Sequence, residues 1–261
     1  MCLILFAIES HPRFPLIVAA NRDERYARPT RSLHWWADAP QVIAGRDLEA
    51  GGTWLGATRD GRFSAITNVR EGAARKQWQR SRGELTRDFL LRDTPPAAYA
   101  AEAHARGDQY AGFNLLVGDC HGFHYCSNRG QPPRRLAPGI YGLSNDSLDS
   151  AWPKVTTGKQ ELAALLQATP SEEQLLQLLA DTRQPDDAEL PDTGIGAVLE
   201  RILASRFIAT ETYGTRASTV LRVDHSGCAD IVEQNFTSGG SPAECIRYDW
   251  RLERTLKGTL S

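Results

Sequence analysis

The chain opens with Met1-Cys2-Leu3-Ile4-Leu5-Phe6-Ala7-Ile8, turns through Glu9-Ser10-His11-Pro12-Arg13, resumes as Phe14-Pro15-Leu16-Ile17-Val18-Ala19-Ala20 and ends in Asn21-Arg22-Asp23-Glu24. Two apolar, partly branched runs of strand length around a proline-containing turn predict an antiparallel hairpin. Folding it about His11 and Pro12 pairs residues whose numbers sum to about 23 or 24. Cys2 then falls opposite Asn21 or Arg22, with Asp23 one step away. A thiol near the start of the chain is placed beside a guanidinium and two carboxylates.

Position gives Cys2 a second meaning. An initiator methionine is commonly removed when the next residue is small, and cysteine qualifies. The product carries a thiol and an α-amine on one residue, and an amine with an ordinary pKa of ~7.7–8.0 can act as base for its own thiol. This is the chemistry of N-terminal nucleophile hydrolases, which attack amides. The plainer alternative is that Cys2 is a small apolar residue opening a buried strand.

Composition narrows the class. A chain of 261 residues is read as one domain, residues 1–261. A hydrophobic content of 41% and a mean hydropathy of −0.40 describe an ordinary soluble protein. The net charge of −2 gives no polyanion-binding surface, so nucleic acid is not an expected partner. No apolar run reaches the ~18–20 residues of a membrane span. Leu3 to Ile8 is too short for a signal-peptide core and lacks a basic segment before it. Five cysteines, an odd number without repeated spacing, point to a reducing, cytoplasmic setting. Cys120, His121, His124 and Cys126 could form a metal cluster, but strand alternation with His124 and Cys126 on one face fits as well, and no metal site is assigned.

Beyond the hairpin, Trp35-Trp36 reads as part of a loop after Arg28-Pro29. Gly45-Arg46-Asp47 leads to Gly51-Gly52-Thr53-Trp54-Leu55-Gly56, a turn entering a short strand, without a phosphate-loop pattern. Further strands are expected over Phe63 to Thr67, Gly112 to Gly118, His121 to Ser127 and Gly139 to Ser144. The polar stretch from Ala73 to Arg82 reads as a surface loop, with Ser81 as the cap of a helix from Gly83-Glu84 to about Arg92. A second helix starts at Pro95-Pro96. From Trp152 the pattern turns helical, over Val155 to Ala168, Ser171 to Leu179 and Ala197 to Ser205. Strands return over Arg216 to Val223, Cys228 to Gln234 and Glu244 to Leu252. Strands in two blocks with helices between them predict an α+β fold of antiparallel sheets with helices outside, the order an αββα sandwich gives.

Polar residues cluster at predicted strand ends: Asn68, Asn145 and Arg216. Asparagine amides can donate to an oxyanion, where one such donor is worth ~3 kcal/mol of transition-state stabilisation. Each also has a plain reading, as a turn or cap residue for the asparagines and as a salt-bridged strand end for Arg216.

Taken together, the ordered motifs resemble a known family. Asn21-Arg22-Asp23-Glu24, the glycine-bracketed segment 51–56, Thr67-Asn68, Arg82-Gly83-Glu84-Leu85, Gly112-Phe113-Asn114-Leu115, Tyr141-Gly142-Leu143-Ser144-Asn145, Trp152-Pro153 and Tyr213-Gly214-Thr215-Arg216 are similar to those of the NRDE family, the transport and Golgi organisation protein 2 homologues. The resemblance implies a four-layer αββα sandwich of the N-terminal nucleophile (Ntn) hydrolase type. It implies, more distantly, a likeness to cysteine hydrolases of linear amide (C–N) bonds. By that likeness Cys2 is the nucleophile, Arg22 and Asp23 hold its amine and thiol, Asn68 and Asn145 line the oxyanion site and Arg216 completes the charge network. No cofactor is then required. Arg22 and Asp23 are adjacent, and strand neighbours point to opposite faces, so one of the two is expected to miss Cys2. The family is also linked to haem trafficking and to acyl-CoA or lipid metabolism, so a haem or acyl-CoA-like ligand is the alternative partner. His34 beside Trp35 is the candidate contact for a flat ligand, Cys2 a candidate iron ligand, and Asn21, Glu24 and Trp54 further candidate ligand-binding residues.

Overall fold

A computed structural model describes residues 2–72, 78–130 and 132–253. The opening hairpin is β1 (Cys2–Ile8) and β2 (Leu16–Arg25). Its partners sum to 24, with Cys2 opposite Arg22 and Ile8 opposite Leu16. Both strands are buried on both faces. Ile4, Phe6, Val18 and Ala20 enter a core between two sheets, whereas Leu3, Leu5, Ile17 and Ala19 enter a core beneath helices. Double burial is why these runs are continuously apolar and do not alternate.

The chain then lays down a second, seven-stranded sheet in sequence order. Its strands are β3 (Thr30–Trp36), β4 (Ala39–Asp47), β5 (Leu55–Thr58) and β6 (Phe63–Asn68), then, after helices α1 (Gly83–Leu91) and α2 (Pro96–Ala105), β7 (Phe113–Asp119), β8 (Gly122–Ser127) and β9 (Arg134–Arg135). The return strand β10 (Gly139–Leu143) pairs with the outer flank of β1. Helices α3 (Pro153–Leu165), α4 (Glu172–Leu179) and α5 (Ala197–Ile202) follow. Strands β11 (Tyr213–Val223), β12 (Cys228–Thr237) and β13 (Ser241–Arg251) then complete the first sheet, in the order β10-β1-β2-β11-β12-β13.

Three apolar cores hold four layers together. One lies between the sheets. A second packs Leu85, Phe89 and Tyr99 of α1 and α2 on Trp36, Phe113 and Leu115. The third packs Val155, Leu162 and Leu178 of α3 and α4 on Leu5, Ala19 and Val220. The layers run helix, sheet, sheet, helix, which is the αββα sandwich expected. Local signals fix the helix starts: Pro96 and Pro153 stand in first turns, and Ser171 with Gln174 forms a reciprocal capping box.

The second sheet departs from expectation near its edge. Trp35-Trp36 is strand, not loop, and Gly45-Arg46-Asp47 ends a nine-residue strand. Register shifts between Arg31 and His34 and between Trp35 and Trp36 break the two-residue alternation that sequence patterning relies on. Trp36 explains why the segment is ordered: its ring is buried and its Nε1–H donates to the Ala44 carbonyl at 3.1 Å. Ser81 does not cap α1 with its side chain. The cap position is Arg82, and the Ser81 N–H donates to Glu84 Oε1 at 3.0 Å. Of the predicted surface loop from Ala73 to Arg82, residues 73–77 lie outside the described residues.

Candidate active site

A cavity of about 220 Å³ opens between the ends of the two sheets, with Cys2, Arg22, Asn68, Arg82 and Arg216 in its wall. Register explains the first two. Cys2 pairs with Arg22, so both side chains leave the same face of the sheet, toward the other sheet. On the other side of β1, Ile4 pairs with Leu143, and carrying that register on by two residues sets Cys2 against Asn145.

Asp23 takes the opposite face. It is 2% exposed, accepts from Thr215 Oγ1 at 2.8 Å, and lies in the fields of Lys154 and Arg70. Its backbone still hydrogen-bonds the Cys2 sulfur. Both residues therefore reach Cys2, Arg22 through the shared face and Asp23 through its main chain. Burial pushes the Cys2 thiol above the ordinary range, reinforced by the Asp23 carboxylate and opposed by Arg22. Burial likewise raises Asp23. The thiol is a neutral group that needs a base.

Arg216 arrives by a bulge. Thr215 pairs with Asp23 and Ala217 with Arg22, leaving Arg216 as the extra residue. A bulge re-aims side chains, and here two consecutive residues, Arg216 and Ala217, line the cavity. Thr215 and Ser218 stay on the helix side, where Ser218 Oγ donates to Asn21 Oδ1 at 2.6 Å. Arg216 Nη1 donates to the Arg28 carbonyl, and also to Thr30 Oγ1 at 3.5 Å, an oxygen that accepts from Arg22 Nη1 at 3.1 Å.

The two asparagines meet. Asn145 Nδ2 donates to Asn68 Oδ1 at 3.0 Å and to the Asn68 carbonyl at 3.1 Å. Asn145 is fully buried, while Asn68 lines the cavity. With its Oδ1 held by Asn145, Asn68 turns its Nδ2 donors away from that partner. Ser144 and Thr67 brace the pair: Ser144 Oγ donates to the Cys2 carbonyl at 3.2 Å, and Thr67 Oγ1 to the Ser144 carbonyl at 2.5 Å.

Not every candidate reaches the cavity. Glu24 and Trp54 line it. Asn21 faces the helices, donating to the Leu179 and Arg206 carbonyls at 2.9 and 2.8 Å, a bracing position. His34 and Trp35 lie outside the cavity wall. The His34 Nδ1 sits 2.7 Å from the Ser32 carbonyl, and Trp35 stacks edge-on with Trp250 under the Arg59 guanidinium. Conversely, Arg31, Arg46 and Arg82 line the cavity without having been singled out as candidates. Lys154 also went unnoticed: it is buried, donates to the Leu203 carbonyl at 2.9 Å, and is held down to about 8 by burial. The only signal for it was its place after Trp152-Pro153. A larger cavity, about 560 Å³, lies at the other end of β1 against Ile8, Phe123 and Leu136, away from Cys2.

The family profile described as Transport and Golgi organisation 2 matches residues 1–238. The Transport and Golgi organization protein 2 homolog of Bos taurus is 36% identical over 278 residues, covering 97% of this chain and 100% of the relative. The chain belongs to the transport and Golgi organisation 2 family. The Drosophila melanogaster protein Transport and Golgi organization protein 2 is 30% identical, covering 91% of this chain and 93% of its own length. Among solved structures, the Caenorhabditis elegans N-acylethanolamine-hydrolyzing acid amidase ortholog superposes with a TM-score of 0.50 at 14% identity, over 69% of this chain and 86% of that one. This likeness is one of fold, and the transport and Golgi organisation 2 chain has an Ntn-hydrolase-like αββα sandwich. In this family member the Asn-Arg-Asp-Glu stretch divides by parity: Arg22 and Glu24 line the cavity, Asn21 braces helices, and Asp23 joins the two sides.

Proposed function

We propose that the protein is a cysteine amidohydrolase of the N-terminal nucleophile type, cleaving a linear amide. One observation carries this reading: the register that puts the Cys2 thiol, the Arg22 guanidinium and the Asn68 amide on one cavity wall, with Asp23 at the back of Cys2. The proposed chemistry starts from a chain from which Met1 has been removed. The α-amine of Cys2 takes the thiol proton, which burial otherwise holds in place. Sulfur attacks the amide carbon, and the developing oxyanion is met by Asn68 Nδ2, oriented by Asn145. The C–N bond breaks as the amine leaves with the proton, and water then hydrolyses the thioester to a carboxylic acid, restoring the thiol. Asp23 is assigned to holding the amine, and Arg22 and Arg216 to stabilising negative charge. The test is covalent labelling by an amide-mimicking electrophile, read by intact mass. The expected result is one adduct on a chain beginning at Cys2, abolished by Cys2→Ala and by Cys2→Ser; active protein that retains Met1 overturns the reading.

A second reading rests on the raised thiol. A cavity whose cysteine stays neutral would bind without cleaving, as a carrier for an acyl-CoA-like ligand or haem. Among the described residues, no histidine or methionine lines the cavity wall; iron bound there would take Cys2 as its ligand and draw off the thiol proton. Haem titration then gives a Soret band saturating at one equivalent, and no spectral change removes haem as the ligand.

A further inference from the structure

Six guanidiniums surround the Cys2 cavity, and they are of two kinds. Arg28 is committed to Asp47, with Nε and Nη2 both 2.8 Å from Oδ2. Arg46 is committed to Asp38 at 2.8 Å and to the face of Trp36. Arg22, Arg31, Arg82 and Arg216 are different: among the described residues, none of them has a carboxylate oxygen within 4.0 Å. Their partners are neutral. Arg22 and Arg216 share the Thr30 hydroxyl, Arg82 donates to the Gly112 carbonyl at 3.0 Å, and Arg31 is exposed at the rim.

The acids nearby do not balance them. Asp47 is taken by Arg28, and Glu24 lies against Arg25 and Arg28. Asp23 touches the cavity wall but accepts from Thr215 and lies in the fields of Lys154 and Arg70, and burial raises its carboxyl. Glu233 accepts from the Leu33 N–H at 2.8 Å and from Asn235 Nδ2 at 3.2 Å, and burial raises its carboxyl. Clustered like charges repel in a partly desolvated site, and a bound anion removes that cost. The geometry adds one more positive end: the first residue of α1, Gly83, lines the same cavity.

We infer that the cavity takes a ligand with an oxyanion, a carboxylate or a phosphate monoester, held by Arg31 and Arg82 while its amide meets Cys2. Resting on the amidohydrolase reading, this names the substrate class: N-acylated amines with an acidic head group. Arg22 and Arg216 contribute long-range attraction from the Cys2 side.

Calorimetric titration of the Cys2→Ala chain tests binding apart from turnover. The probes are an N-acylglycine, an N-acyl-O-phosphoethanolamine and an N-acylethanolamine of one acyl length. Both acidic probes are expected to bind about tenfold or more tightly than the neutral one, as one charge-assisted hydrogen bond provides, and the tighter of the two identifies the anion. Arg31→Gln and Arg82→Gln, each added to Cys2→Ala, are expected to remove about tenfold of that preference. Arg31 is exposed, so its variant keeps the fold. Equal affinity for all three probes overturns the inference, as does an unchanged preference in both arginine variants. Turnover by the unmodified chain separates the two ideas. Selective binding with no cleavage of any probe upholds the anion site and sinks the amidohydrolase. Cleavage of all three probes at equal efficiency does the reverse.

Discussion

Lys154 shows how one side chain couples the helix layer to the surroundings of Cys2. It is buried near Asp23 and Cys2, and burial holds its amine at about 8 where an exposed lysine sits at 10.5. A depressed folded-state value means the folded chain gives up a proton that the unfolded chain keeps. The cost of the buried charge, ~3 kcal/mol at most, is therefore complete below about pH 8 and fades as pH rises toward 10.5. Lys154→Met lacks this dependence. Denaturant unfolding of both chains at about pH 7 and about pH 10 is expected to show the parent gaining stability relative to the variant at the higher pH. A constant difference would mean that the amine is not desolvated in the folded chain.

At the scale of elements, the start of α1 is set by backbone contact. A Cβ on Gly52 would lie 2.4 Å from the Gly83 carbonyl carbon and 2.6 Å from its oxygen, and main-chain atoms cannot rotate aside. The Thr53 N–H donates to that same oxygen at 3.2 Å. Gly52→Ala is therefore expected to push α1 off the cavity and cost about 1–3 kcal/mol, seen as a lower melting temperature together with weaker binding of the acidic probe. Much of this scale was legible beforehand. The hairpin register followed from two uninterrupted apolar runs about one proline turn, and the αββα order followed from the blocking of strands and helices. The edge strand β3 and its neighbour β4 were hidden because register shifts interrupt them and because Arg31, Ser32 and His34 read as loop. Asn68 and Asn145 were visible as polar residues at strand ends, whereas Arg216, read as opening its strand, is the fourth residue of β11. The bulge that turns Arg216 inward was not visible, because a bulge is a property of pairing and leaves no mark on one strand alone. Arg31, Arg46 and Arg82 escaped for a similar reason: they come from separate segments and converge only when the sheets stack.

For the whole molecule, a buried ion pair is among the ties that hold the segment between α4 and β11 to the sheets. Arg70, just past β6, meets Glu200 of α5, with both side chains 3% exposed, and its guanidinium stacks on Trp152. Glu200 also accepts from the Thr193 N–H at 2.8 Å and from its hydroxyl at 2.5 Å. Removing one partner of a buried pair typically costs ~3–5 kcal/mol. Glu200→Ala is expected to lower stability on that scale and to speed amide hydrogen exchange across residues 190–203 before other segments. Uniformly faster exchange throughout would show that the pair serves global stability alone.

The position of β1 also has a consequence in time. It is flanked by β2, made at once, and by β10, which begins at Gly139, about 130 residues later in synthesis. At ~5–20 residues per second, the outer flank of β1 waits on the order of 10 s for its partner. Removal of Met1, which the proposed chemistry requires, is expected within that interval. Once β10 zips onto β1 and both faces are covered, the thiol is fixed in the cavity wall. The order of events on the ribosome would then decide whether the chain matures as a nucleophile.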